Sequence, residues 1–408
     1  MNLSEIRELV HVGRPDAPYG ARALARCLSI SDLRRLARRR LPAAALGYLE
    51  GGGEDEWTMR RNREAFGQVE LVPRVLRAVT QPATDTTVLG TPMPLPFALS
   101  PIGAPRMFHH EGELAVARAA RRAGLPYGIS TLATQPLEAI AGEAQGSPLW
   151  FQLYLWGDRS AARKLLAQAR AAGYRALLLT VDTSVRSNRE RELRNGIVLP
   201  NPELTLRTVV NGARHPAWAW HFLSSPALGF PNLSSSGLTS RQRLAEMFDG
   251  TVGWPDLDWI REEWDGPIAL KGVLSEDDAR RAADEGVDAV IVSNHGGRQQ
   301  DHVPAALEVL PGIADAVGGR VEVLFDSGIR RGSDIATALA LGARAVLVGR
   351  AHLYGLAAAG EAGVQHAIDI LAGELRTTMA LCGAATLADL DRSLVRAAHP
   401  APLREPPQ

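Results

Sequence analysis

The stretch VIVSNHGGRQQD, residues 290–301, decides how the rest of the chain is read. Its β-branched run, Val290, Ile291 and Val292, has the form of a strand buried on both faces, as in a parallel sheet covered by helices. The run stops abruptly and is followed by His295, Gly296, Gly297 and Arg298. A buried strand that ends by presenting an imidazole and a guanidinium fits a barrel strand with chemistry at its carboxyl end.

Seven more runs share this form. In chain order the eight are PLPFALSP (94–101), LPYGIST (125–131), PLWFQLY (148–154), RALLLTVD (175–182), PIALKG (267–272), DAVIVSN (288–294), VEVLFDSG (321–328) and AVLVGR (345–350). Helical patterns lie between most of them, among them EGELAVARAARRAG, DRSAARKLLAQARAAG, SEDDARRAADEG and RGSDIATALALG. Ser275 with Asp278 predicts a capping box and Ser333 an N-cap. Gly124, Gly173, Gly286 and Gly342 stand where helices end before strands. Eight alternating units predict an α/β fold, a closed (β/α)8 TIM barrel. An open dinucleotide-binding sheet would carry G-x-G-x-x-G after its first strand, and PIGAPRMFHHEGE lacks it.

The regularity breaks once. Residues 183–255, between strands four and five, are expected to form a lid-like loop insertion; they contain NLSSSGLTS and the aromatic segment HPAWAWHFLSSPALGF. Residues 1–93 read as a helical extension packed on the barrel, 94–395 as the barrel itself, and 396–408 as a loose, Pro-rich tail.

The 408 residues are 46% hydrophobic, enough for a large core and against global disorder. Charge is balanced at 45 basic and 45 acidic side chains, so no broad footprint for nucleic acid is expected. Two cysteines, Cys27 and Cys382, are too few for a disulfide framework or a zinc site. The segment MNLSEIRELVHVGRPD lacks the apolar region of a signal peptide, and no apolar run approaches a membrane span. A cytoplasmic location is expected.

Polar groups gather at the predicted strand ends: Ser100, Ser130, Gln152, Tyr154, Thr180, Asp182, Lys271, Ser293, His295, Arg298, Asp326, Gly328, Arg330, Gly349 and Arg350. Each has an ordinary reading alone: a solvated lysine at 271, a turn carboxylate at 182, a packing tyrosine at 154. The run RRLARRR (34–40) reads as a solvated helix face. His109 and His110 show no metal spacing, and no metal site is expected. Together, the eight strand ends suggest a large polar ligand, and the glycines and arginines after strands seven and eight match a barrel phosphate site.

SNHGGRQ resembles the active-site signature of the FMN-dependent 2-hydroxy acid oxidase and dehydrogenase family. GGGEDEWTMRRNREAF, FQLYLWGDR, LTVDT, LKGV, DSGIRRGSD, ALALGARAVLVGR and GEAGV have counterparts there in the same order, and the likeness spans roughly residues 30 to 395. The pattern is most similar to the flavin L-lactate dehydrogenases.

The resemblance implies a barrel holding FMN. It places Lys271 near the flavin N1 and O2, and Gln152, Thr180, Ser130 and Ser293 around the ring. Pro101, Ile102 and Gly103 would run along the flavin face. Asp326, Gly328, Arg330, Gly349 and Arg350 would hold the ribityl chain and phosphate. It implies His295 as base, Asp182 as its carboxylate partner, Tyr154 on the substrate hydroxyl, and Arg298, Arg189 and Tyr48 on the substrate carboxylate.

Leu132 stands where several members have tryptophan, Gly103 where several oxidases have alanine, and Ser327 where glycine is common. Substrate size and electron acceptor therefore stay open. L-lactate with a quinone acceptor leads. An aryl (mandelate-type) or secondary-metabolism hydroxy acid, and an oxidase or monooxygenase using O2, are alternatives. A non-catalytic flavin-binding protein is disfavoured by the intact set of His295, Asp182, Tyr154, Lys271 and Arg298. The resemblance also implies a homotetramer, and the aromatic insertion implies a peripheral contact with the inner face of the membrane.

Overall fold

The structure is a computed structural model and describes residues 19–157, 159–196, 205–233 and 250–398. Eight strands form its centre: β1 Phe97–Leu99, β2 Tyr127–Ser130, β3 Leu149–Tyr154, β4 Ala176–Thr180, β5 Ile268–Val273, β6 Ala289–Val292, β7 Glu322–Phe325 and β8 Ala345–Val348. They pair in parallel, and β8 returns to β1 to close the barrel. Helices such as Glu113–Ala123, Arg159–Ala171, Glu276–Asp284 and Gly332–Ala340 separate consecutive strands. The (β/α)8 barrel expected from the strand pattern is the fold of the chain.

Strand periodicity explains how such a barrel makes a site. Residues of one parity, including Ala98, Trp150, Leu178, Ala269, Ile291, Leu324 and Leu347, fill the interior as one buried cluster. Residues of the other parity, such as Phe97, Phe151, Leu177, Val290 and Phe325, join the core beneath the helices. Continued to the carboxyl ends, the inward parity changes from apolar to polar. It reaches Ser100, Ser130, Gln152, Thr180, Lys271, Ser293, Asp326 and Gly349.

The segment before the barrel is not purely helical. After helices such as Ile30–Arg40 and Trp57–Glu64 come strands Val69–Leu71, Thr86–Val88 and Thr91–Met93. The last two form a hairpin whose central residues, Leu89 (φ 47°) and Gly90 (φ 67°), both have positive φ, as a tight hairpin turn requires. Val88, Leu89 and Met93 join the interior cluster, and the Leu89 amide donates to Glu322 Oε2 at 2.9 Å, at the start of β7. The hairpin therefore plugs the amino-terminal mouth.

Three further expectations need correction. Val395–Ala397 crosses the boundary drawn after 395 and pairs antiparallel with Val69–Leu71, which satisfies its backbone. The remainder of the expected tail, 399–408, and most of NLSSSGLTS lie outside the described residues. The insertion after β4 is not only loop: its described part carries helices Glu190–Arg194, Leu206–Ala213 and Pro216–Ser224. Ser333 is not an N-cap. The helix starts at Gly332, and the Asp334 carboxylate accepts from the Arg330 and Arg331 amides at 2.7 and 3.0 Å, a charged acceptor displacing a hydroxyl from the role. Ser275 does cap its helix, accepting from the Asp278 amide at 3.1 Å.

Candidate active site

A cavity of about 360 Å³ opens at the carboxyl end of the barrel, with lining residues from the ends of all eight strands. Tyr48, Pro101, Ile102, Gly103, Leu132, Gln152, Tyr154, Thr180, Arg189, Lys271, His295, Arg298, Asp326, Gly328, Arg330, Gly349 and Arg350 line it. Asp182, Ser130 and Ser293 stand one layer behind, bonded to His295, Gln152 and Lys271. The candidate residues named from the sequence thus converge on one space.

His295 sits at φ 58°, a conformation held by its own amide donating to Ser293 Oγ at 3.0 Å. Its ring is fixed at both nitrogens. Nδ1 lies 3.2 Å from Asp182 Oδ1, and Nε2 lies 3.5 Å from the Tyr154 hydroxyl. Burial pushes the imidazole below its ordinary value, and the Asp182 carboxylate opposes that shift. Burial pushes the Tyr154 phenol up, so it stays protonated and can donate. Gly272 makes room for Asp182: it has φ 110°, and a Cβ there would stand 2.6 Å from Asp182 Cγ.

The two glycines after His295 have separate causes. Both take positive φ, 66° and 73°. A Cβ at 296 would lie 2.8 Å from Arg350 Nη1, and one at 297 would lie 2.5 Å from the Met59 amide. The turn is also tied to the extension before the barrel by reciprocal bonds between Asn62 and Asn294, both at 2.8 Å.

The guanidinium of Arg298 is held from three sides. Nη1 donates to the carbonyls of Tyr48 and Gly51 at 2.8 and 2.9 Å, and Nη2 to Glu192 Oε1 at 2.7 Å. It lies 4.8 Å from the centroid of the Tyr48 ring. Arg189 donates to Arg298 O and Gln299 Oε1 at 3.1 and 2.8 Å. Two cations and the Tyr48 hydroxyl therefore border one part of the cavity, which suits a carboxylate.

The opposite wall is built for a different ligand. Lys271 Nζ contacts Asp326 Oδ2 at 2.8 Å and donates to Ser293 Oγ at 3.0 Å. Gln152 links Ser130 and Thr180 in a chain of bonds at 3.0 and 2.9 Å. Beyond them stand Arg330 and Arg350. Arg350 donates to three carbonyls, those of Leu49, Gly296 and Gly51, and Arg330 to Ile329 O; neither has a carboxylate partner among the described residues. Burial, then nearby Arg298, pushes Arg350 down to about 9, and burial lowers Arg330. Two half-buried guanidiniums without a carboxylate, with Gly349 at the start of the helix from Arg350, fit a phosphate monoester. The amide, hydroxyl and ammonium groups alongside fit a polar heteroaromatic ring. The residues present fit FMN.

Sequence reading missed Glu192, the carboxylate on Arg298, and Gln299, which accepts from Arg189 and donates to Asp182 O at 3.0 Å. Gln299 directly follows Arg298 in the same turn, a signal that was available; the Glu192 contact spans 106 residues and had none. Ser327 takes positive φ, 87°, where glycine is usual. Its hydroxyl donates to Asp326 Oδ1 at 2.8 Å and accepts from the Gly296 amide at 3.1 Å, which hold it there. His109 and His110, read as lacking metal spacing, in fact bring ligand atoms within 4.8 Å of each other and of Glu111.

The family model for FMN-dependent dehydrogenases matches residues 37–397. The chain belongs to this family. FMN is therefore its cofactor, and it is an oxidoreductase. A putative L-lactate dehydrogenase of Mycobacterium tuberculosis is 44% identical over 386 residues, 95% of this chain and 93% of that protein. The L-lactate dehydrogenase of Caulobacter vibrioides strain NA1000 is 44% identical, over 90% of this chain and 97% of its own. Among solved structures, (S)-mandelate dehydrogenase, described as a monotopic membrane protein, superposes with a TM-score of 0.87 at 38% identity. That match covers 91% of this chain and 100% of the other. A mandelate oxidase gives a TM-score of 0.79 at 38% identity, covering 91% and 98%. The FMN-dependent dehydrogenase fold thus accounts for nearly the whole described chain.

Proposed function

We propose that this FMN-dependent dehydrogenase oxidises an L-2-hydroxy acid, L-lactate first, to the 2-oxo acid. The observation that carries the reading is the His295–Asp182 pair, set beside Tyr154 and within one cavity with Arg298 and Arg189.

Arg298 and Arg189 bind the substrate carboxylate, with the Tyr48 hydroxyl at its edge. Tyr154 orients the substrate hydroxyl, and His295 Nε2 takes its proton. Asp182 stabilises the imidazolium that results, as a carboxylate facing a ring nitrogen should. Bound FMN supplies the two-electron acceptor. Lys271 places positive charge where the ring becomes electron-rich, and its position beside Asp326 fixes its ammonium.

L-lactate is favoured by the relatives named for it at 44% identity. A mandelate-type substrate is the second reading, supported by the mandelate-oxidising structural neighbours and by the apolar side chains of Leu132, Phe108 and Ile102 in the cavity. An anaerobic panel of hydroxy acids, read by loss of flavin absorbance, separates them. L-lactate should bleach the flavin fastest; a protein that no 2-hydroxy acid bleaches would sink the reading.

The same reading takes a quinone as acceptor and a peripheral place on the membrane. No helix among the described residues is long and apolar enough to cross one. The helices Leu206–Ala213 and Pro216–Ser224 instead expose Leu206, Val209, Trp220 and Leu223, a surface suited to lying in an interface. Flotation with vesicles tests this. A homotetramer belongs to the reading too, and analytical ultracentrifugation tests it.

A further inference from the structure

A second cavity, of about 350 Å³, is unused by this chemistry. Phe108 lines both cavities, and its ring packs on that of Tyr48 with centroids 6.0 Å apart. A single side-chain layer therefore stands between this space and the active site. On another side lies the helix Pro216–Ser224, which is apolar around most of its circumference. Trp218 and Phe222, one turn apart, stack at 4.7 Å and line the cavity, while Trp220 and Leu223 point away and are 71% and 81% exposed. The inner face of the helix borders the cavity, and its outer face belongs to the exposed apolar surface.

The polar lining is specific. The rings of His110 and His221 stack at 4.3 Å and 11°, and His109 lies 4.4 Å from His110. Nδ1 of His110 is buried without a hydrogen-bond partner, a costly state that a ligand would relieve. Burial holds His109 at about 4 and lowers His110, so near neutrality each ring is neutral and offers one donor and one acceptor. Arg39, Arg40 and Arg214 also line the space and have no carboxylate partner among the described residues. The arginines in the lining repel a metal cation, although the His109, His110 and Glu111 ligand atoms lie within 4.8 Å of one another. The site suits a flat ring with carbonyl acceptors that gains negative charge and then protons, and that arrives from an apolar phase.

We propose that this cavity is a quinone site, in which the quinone ring lies among Trp218, Phe222 and Phe108 and its carbonyl oxygens accept from His110 and His221. The proposal rests on the dehydrogenase reading above. Reduced flavin gives up two electrons and its N5 proton; the quinone takes two electrons and two protons, the second from solvent by way of the histidines, and leaves as the quinol.

The test uses the holoenzyme, reduced anaerobically with its hydroxy acid and mixed with a water-soluble short-chain ubiquinone or, separately, with ferricyanide. Two variants alter the cavity: Ala217→Trp narrows it, and His110→Gln removes the imidazole while keeping its bulk. Both should reoxidise with quinone at least tenfold more slowly, while reduction by hydroxy acid and reoxidation by ferricyanide stay as in the unaltered protein. Calorimetric titration of the oxidised enzyme with the same quinone should show saturable binding that Ala217→Trp abolishes. Unchanged quinone rates and binding in both variants would overturn the site and leave the dehydrogenase reading standing. Inorganic phosphate displacing the quinone analogue, or binding in its place, would make the cavity an anion site and also overturn the proposal. If the unaltered reduced enzyme reacts rapidly with oxygen and not with quinone, the choice of acceptor falls first and the site with it.

Discussion

His295 Nδ1 lies 3.2 Å from Asp182 Oδ1, and the second oxygen of that carboxylate is buried without a hydrogen-bond partner. Asp182 thus directs its charge at the imidazole. Burial lowers the pKa of His295 and Asp182 opposes it, so the ring works as a neutral base at pH values above a midpoint lying below 6.5. Flavin reduction should therefore fall only as pH drops through that lower value. Asp182→Asn removes the opposing charge and should move the midpoint further down, while slowing reduction by about 10²–10⁴-fold, the range of a general-base contribution. Stopped-flow reduction across pH checks both; an upward shift in the variant would contradict the assigned pairing.

Arg298 uses its planar fork on two carbonyls and Glu192, and still borders the cavity. Arg298→Lys keeps the charge and loses the fork. Oxalate, a dicarboxylate inhibitor probe, should bind about tenfold or more weakly, a loss of at least ~1.4 kcal/mol. Titration of the flavin spectrum with oxalate measures it. Unaltered affinity would place the carboxylate site elsewhere.

The barrel and much of its site were legible because both rest on a period of two. Apolar runs such as AVIV and ALLLT announce strands buried on both faces, and the next inward position is where chemistry appears, as at Ser293 after Ile291 or Lys271 after Ala269. Roles came from the family resemblance, since spacing alone leaves Lys271 an ordinary lysine. Features made by distant pairs stayed hidden. Glu192 meets Arg298 across 106 residues, and the hairpin turns at Leu89-Gly90, which lacks the usual Asn-Gly or Asp-Gly signal. The helix Pro216–Ser224 was obscured because PAWAWHFLS is apolar on both faces and shows no amphipathic period.

Gly103 and Leu132 are coupled by space. A Cβ on Gly103 would stand 2.9 Å from Leu132 Cβ and 3.5 Å from the Tyr48 hydroxyl. Gly103→Ala should destabilise the protein by about 1–3 kcal/mol, the usual cost of overpacking. Leu132→Ala leaves Cβ in place but removes the rest of the side chain, whose Cδ1 lies 3.5 Å from the same point, and so frees Leu132 to shift. The double variant should therefore lose less than the two single losses added together. Urea unfolding of the four proteins measures the coupling, and strict additivity would mean the two sites do not share this space.

Arg350 carries the last prediction. Its guanidinium has three carbonyls and Met59 Sδ as partners and no carboxylate among the described residues, and burial lowers its pKa from the ordinary arginine value to about 9. The folded state then binds this proton less tightly than the unfolded state. Below about pH 9 the enclosed charge is a full penalty on folding; the penalty fades as pH rises from 9 toward the ordinary arginine value. A phosphate beside Arg350 restores the charged form, so FMN should stabilise most where the penalty is complete. Bound at a hundredfold excess over Kd, a ligand adds about 2.7 kcal/mol to stability. The Tm increment on adding FMN should therefore be larger at pH 7 than at pH 10, and Arg350→Met should lose most of it at pH 7 and erase its dependence on pH. Thermal melts of the flavin-free protein with and without FMN measure this. An increment that survives Arg350→Met, or that grows toward pH 10, would remove Arg350 from the phosphate site.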